Sequence, residues 1–236
     1  MKYKNSILDN FLQKRISDNA KELKNTLNNA LQMEQECLEQ IRLSINHCKH
    51  NIAVCEEQIK KCSMASLYIY EAKKSAFKVN LTIWNALGHI QMTSIEMKEY
   101  LKRLSVEDVD DWEQRAVIKS AYTAIYETSK KLVDATGEII KFIKDYFPSY
   151  DYVAFTGVRK ELTKFREENA VELTRVRKGI DAHRDVEISV QIDIIERLHL
   201  SEAVQLITNY GNIVNKLGNV TSPIIKLGIK RLQECS

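Results

Sequence analysis

The sequence predicts an all-α protein, an elongated helical bundle led by a long, coiled-coil-like N-terminal hairpin. Three observations carry this. Its 236 residues include only two prolines and seven glycines, too few punctuating residues for a sandwich or barrel of many short strands. Apolar residues recur at alternating steps of three and four over long stretches, which is the period of one helix face. Hydrophobic residues at 44% and charged residues at 28% supply both a sizeable core and a solvated surface.

The elements follow in order. Residues 1–62 contain no glycine or proline. Ile41, Ile45, Cys48, Ile52, Cys55, Ile59 and Cys62 keep the three/four rhythm, and Leu23, Leu27, Leu31 and Leu38 extend it backwards, with Glu34 interrupting the stripe. Such a stripe packs either on the protein's own later helices or on a second chain. Residues 63–103 continue as helix, with Leu67, Tyr70, Phe77, Leu81 and Trp84 as its expected buried positions and Gly88 marking a bend. Ser105, three residues before Asp108, reads as the N-cap of a helix over 106–147. Within that helix Val117, Ala121, Ala124, Ile125, Leu132, Ile139 and Ile143 face the core. Pro148 ends it, Pro148–Tyr152 is the clearest loop, and 148–156 is a candidate boundary that need not separate domains. Thr156 is the expected N-cap of a helix over 157–180, with Gly179 ending or kinking it. The run Ile188–Ile192 fits a helix or a short strand. Ser201 and Glu202 open a final helix that Pro223 breaks or restarts. The chain divides at the first break into 1–104, an assembly or bundle region, and 105–236.

A net charge of +3 is too mild to imply nucleic acid by itself. The five cysteines are odd in number and lack a CxxC pair. They read as reduced core thiols of a cytoplasmic protein. No apolar run approaches the ~20 residues of a membrane span. The N-terminus lacks the apolar core of a signal peptide. His47, Cys48, His50 and Cys55 mix metal-binding residue types, but the cysteines follow the buried stripe and no four-ligand set forms. The expectation is no metal and no cofactor.

One window carries most of the functional information. Residues 175–185 read Arg-Val-Arg-Lys-Gly-Ile-Asp-Ala-His-Arg-Asp. Arg177 precedes His183 by six positions, with apolar Val176 before the arginine and small Ala182 before the histidine. This window resembles the motif of HEPN ribonucleases, in which an arginine is followed after four to six residues by a histidine, late in a small helical bundle. The resemblance covers about residues 106–220 and makes the second region a HEPN-like bundle. It implies a metal-independent endoribonuclease of a prokaryotic toxin or antiphage system, acting on RNA as a homodimer, with a regulatory protein as a further partner. Arg177 would clamp the scissile phosphate with a permanent, forked charge. His183 would move the proton near neutral pH. Arg175, Lys178 and Arg184 would hold flanking phosphates. Lys178 stands where the family commonly has a small polar residue, and Asp185 where some toxin members have a tyrosine, so a binding relative without activity also fits.

Six helical steps rotate by about 600°, which sets Arg177 and His183 roughly 120° apart on an ideal helix. Their convergence requires a distortion near Gly179. Arg42 and His47 form a second arginine–histidine match with none of this context. The alternative to an enzyme is a helical interaction or scaffold protein, for which the long stripe suffices.

Overall fold

The computed structural model describes residues 2–105, 110–178 and 188–234, with side chains from residue 21 onward. Seven helices and no strand are present among the described residues: α1 (Lys2–Lys61), α2 (Met64–Ser105), α3 (Asp111–Tyr146), α4 (Val153–Glu168), α5 (Ala170–Val176), α6 (Ile188–Glu196) and α7 (Leu200–Glu234). The chain is all-α, as its composition requires.

The α1 stripe packs as its period demands. Leu31, Ile41, Cys48 and Cys55 are buried, Leu23, Leu27, Leu38, Ile45, Ile52, Ile59 and Cys62 are half-buried, and the faces between them are mostly open. Their partner is α2, which folds back through a two-residue turn. Ser63 makes that turn, its carbonyl accepting from the Ser66 and Leu67 amides at 3.0 and 3.1 Å. Glu34, the misfit in the stripe, has a local use. Its Oε1 accepts from Ser94 Oγ at 2.8 Å and Lys98 Nζ at 2.6 Å, tying α1 to α2 by charge where apolar contact is missing.

The buried face of α2 differs from the expected one. Leu67 is 37% exposed, and Tyr70, Phe77, Leu81 and Trp84 are only half-buried. The buried positions are Ala76, Asn80, Ile83, Ala86, Leu87, Gly88, Ile90 and Met97. α2 is covered by α1, α3 and α7 together, so its contact line favours small residues that admit close helices over large ones. Gly88 is one of these, within continuous α2, where a Cβ would lie 3.6 Å from Ile41 Cγ2.

α3 is capped by Asp110, not by Ser105, which is the last residue of α2. Asp110 accepts from the Glu113 amide at 2.7 Å, a side-chain cap on an orphan donor. Asp108 lies outside the described residues. Val117, Ala121, Ile125, Leu132, Ile139 and Ile143 are buried as their spacing predicts. α4 begins at Val153, earlier than expected; Thr156 is inside it and donates to the Val153 carbonyl at 2.9 Å. The expected single helix over 157–180 is interrupted at Asn169. There the side-chain amide donates to the Phe165 carbonyl at 2.7 Å, competing with the backbone ladder. Gly179 lies outside the described residues. The Ile188–Ile192 run is helical. Arg115 of α3 donates to the terminal carbonyls of α6, Ile195 and Glu196, at 3.1 and 2.7 Å.

α7 runs through Pro223 without breaking. Proline removes one helical donor, and here the residue is exposed, while buried Thr221 and Ile224 on either side keep the helix seated. One core cluster joins α2, α3, α4, α5, α6 and α7, with Ile41 from α1. Cys48 and Cys55 are buried, and burial pushes both thiols up from their usual range. Cys37 is exposed. A thiolate-selective reagent is therefore expected to label Cys37 rapidly and to reach Cys48 and Cys55 only when α1 lifts from α2 or the protein unfolds, as mass spectrometry of timed samples would show.

Candidate nucleic-acid interface

Arg177 follows the last residue of α5 and is aimed at α3. Its Nε donates to Glu127 Oε1 at 2.5 Å, and its guanidinium lies over the Tyr126 ring, 4.9 Å from the centroid. The side chain keeps 34% of its surface. The chain is held there because Leu173 and Val176 of α5 are buried in the core, which leaves the next residue at the edge of α3.

How the carboxylate is bound separates Arg177 from its neighbours. Arg175 is closed by Glu172, through Nε at 3.0 Å and Nη2 at 2.5 Å. Arg42 is closed in the same way by Glu39, at 2.7 and 2.6 Å. Arg177 is gripped through Nε alone, with an aromatic face beneath, and among the described residues its two Nη groups have no partner. The Nη edge is the part of a guanidinium that can fork onto a phosphate. Glu127 and Tyr126 thus orient the arginine without consuming that edge.

Of the other sequence-predicted site residues, Lys178 is exposed beside Arg177. Arg175 sits next to Tyr122 and Glu202 as well as Glu172; its hydrogen bond to Glu172 raises an already high pKa further. Burial, with help from Glu172 and Glu202, holds the Tyr122 hydroxyl protonated well above the usual tyrosine range. His183 and Arg184 lie outside the described residues. The second arginine–histidine pair has other attachments. His47 contacts Asn51 and stands edge-on to Phe77 at 6.1 Å, while Arg42 turns to Glu39.

Sequence reasoning missed Glu127 and Tyr126. Glu127 lies 50 residues from Arg177, with Tyr126 next to it, and neither carries a local signal, so only the packing of α5 on α3 pairs them. Among the described residues no group of three or more histidine, cysteine or acidic side chains could hold a metal. His47 and His50 are exposed while Cys48 and Cys55 are buried, so that mixed set never converges. No helix of the described residues is long and apolar enough to cross a membrane.

Comparison with protein-family models, with curated proteins and with solved structures finds no match to this chain.

Proposed function

We propose that the protein is a HEPN-like, metal-independent endoribonuclease of a toxin or antiphage system, with Arg177 and His183 as its working pair. The observation that carries this reading is the Nη edge of Arg177, without a partner among the described residues and oriented from α3, six positions before His183 in the sequence. In this reading the RNA 2′-oxygen attacks the adjacent phosphorus and the bond to the 5′-oxygen breaks. The products are a 2′,3′-cyclic phosphate and a 5′-hydroxyl. His183 takes or returns the proton, and Arg177 neutralises the charge growing on the phosphoryl oxygens. Lys178 and Arg184 would hold flanking phosphates, and Arg175 would first have to leave Glu172. The family resemblance places two such motifs together in a homodimer, under the control of a regulatory protein.

The test is cleavage of total RNA in EDTA by the purified protein and its variants. His183→Ala and Arg177→Ala are expected to lower the rate by about 100-fold or more, while His47→Ala leaves it unchanged. Cleavage that survives His183→Ala, or an inert wild-type protein, would sink the proposal.

A second reading has an observation of its own. Near the turn between α1 and α2, Met64 and Tyr68 are 91% and 82% exposed, and Ile69 is exposed beside them. Exposed apolar side chains grouped at the end of a hairpin suit a protein that docks a partner. An inert wild type would move the weight to this reading.

A further inference from the structure

We infer that the groove where α4 and α5 lie against α3 is a track for a single-stranded RNA backbone, with Arg159 and Arg166 as phosphate ligands beyond Arg177. The inference rests on reading Arg177 as a phosphate ligand, and it adds residues and a substrate form which that reading does not contain.

Arg159 supplies the independent observation. It is partly buried on α4, its Nη2 lies 3.6 Å from where a Gly137 Cβ would stand on α3, and its Nε is buried with no hydrogen-bond partner. Among the described residues no carboxylate pairs with it. A half-buried guanidinium without a counter-charge is costly. A separation of 3.6 Å is ordinary van der Waals contact, so the guanidinium lies directly against the α3 surface at Gly137.

Register then aligns the remaining cations. Gly137 is eleven positions after Tyr126 on α3. Eleven helical steps make about 1100°, three turns within ~20°, and advance about 16 Å. Arg159 and Arg177 therefore sit over the same face of α3, roughly 16 Å apart. Lys130, exposed on that face, lies seven positions before Gly137. Seven positions after Arg159, on the matching face of the antiparallel α4, is exposed Arg166. The order along the groove is thus Arg159 beside Gly137, Arg166 near the level of Lys130, and Arg177 on Tyr126.

The neighbouring carboxylates are mostly occupied: Glu127 by Arg177, Glu161 by Lys216 and Glu168 by Lys164. Glu167 stays on the rim. An extended single strand sets successive phosphates roughly 6 Å apart, so a 16 Å track spans about three such intervals and takes about four phosphates. A line of cations in one groove matches one strand, with the 2′-hydroxyl chemistry confined to the Arg177 end.

The test is binding of labelled single-stranded RNA, as a trinucleotide and a dodecamer, by the His183→Ala protein, which cannot turn the RNA over. Arg159→Ala is expected to weaken dodecamer binding by about fivefold or more and to lower the slope of log K against log salt by about one. The trinucleotide should be far less affected, because it is too short to join both ends of the track. Arg166→Ala, at an exposed position, tests the same groove without touching the packing. Arg42→Ala, closed by Glu39, should change nothing. If both variants bind the dodecamer with unchanged affinity and salt slope, the track is wrong while the Arg177 reading stands. Tighter binding of duplex RNA than of the single strand would also overturn it. Undiminished binding after Arg177→Ala would remove the underlying reading itself.

Discussion

Replacing Tyr210 with alanine is expected to cost about 4 kcal/mol of folding stability, the scale for deleting a buried aromatic ring. Tyr210 of α7 has no exposed surface. Its ring stacks on Phe165 of α4, with centroids 5.3 Å apart, and its hydroxyl meets Thr128 Oγ1 of α3 at 2.9 Å. One side chain thus ties three helices, and its loss leaves a cavity at their junction. Tyr210→Phe keeps the ring and should cost only about 1 kcal/mol, because Thr128 still donates to the Ala124 carbonyl at 2.6 Å. Burial also lifts the Tyr210 pKa well above the usual tyrosine value. A group whose folded pKa is raised contributes stability that is complete below its unfolded pKa and is lost as pH rises past it. Alkaline unfolding should therefore set in above about pH 10, and Tyr210→Phe should move it upward. Urea and pH titrations followed by circular dichroism check both statements; a Tyr210→Ala protein with wild-type stability would contradict the packing described.

Gly228→Ala and Gly157→Ala are the same chemical change with opposite expected signs. A Cβ at Gly228 would lie 2.6 Å from Asn80 Oδ1 and 3.0 Å from Ile83 Cδ1. Asn80 is buried between α2 and α7, donating to the Gly228 carbonyl at 2.8 Å and the Ala76 carbonyl at 3.0 Å. The methyl must displace that amide, so overpacking and a disturbed buried hydrogen bond add together. Against about 1 kcal/mol gained in helix propensity, the net loss should be about 2 kcal/mol. A Cβ at Gly157 meets nothing within 4 Å, and the residue lies exposed within α4. That substitution should stabilise by about 0.5–1 kcal/mol. Denaturant midpoints for the two variants should move in opposite directions.

These contrasts show what could be read from residue order. The α1 stripe was legible because one face of that helix is packed and the other wet, so apolar and polar residues alternate with the helical period. The core positions of α3 were legible for the same reason. α2 was not, since helices cover it on several sides and the closest approach selects Ala76, Asn80 and Gly88, which hydropathy does not mark. Boundaries failed where a side chain competed with the backbone, as at Asn169, or where neighbouring residues overrode a breaker, as at Pro223. At the candidate site, Arg177 was picked out by its spacing from His183. Its grip by Glu127 and Tyr126, and the alignment of Arg159 with the same face of α3, depend on pairings between distant segments that no local pattern encodes.

Among the described residues α1 supplies Ile41 to the central core cluster, with Ile45 packed against it, and rests chiefly on α2. Detaching it exposes one outer face of α2 while α2, α3, α4, α5 and α7 keep their shared interior. Such a layer can open below the free energy of global unfolding. The molecule then has two tiers of cooperativity: an outer strap that can be lifted at modest cost, and an inner block whose loss ends the fold. A partner that grasps the strap can therefore expose the back of α2 without dismantling the helices that hold Arg177.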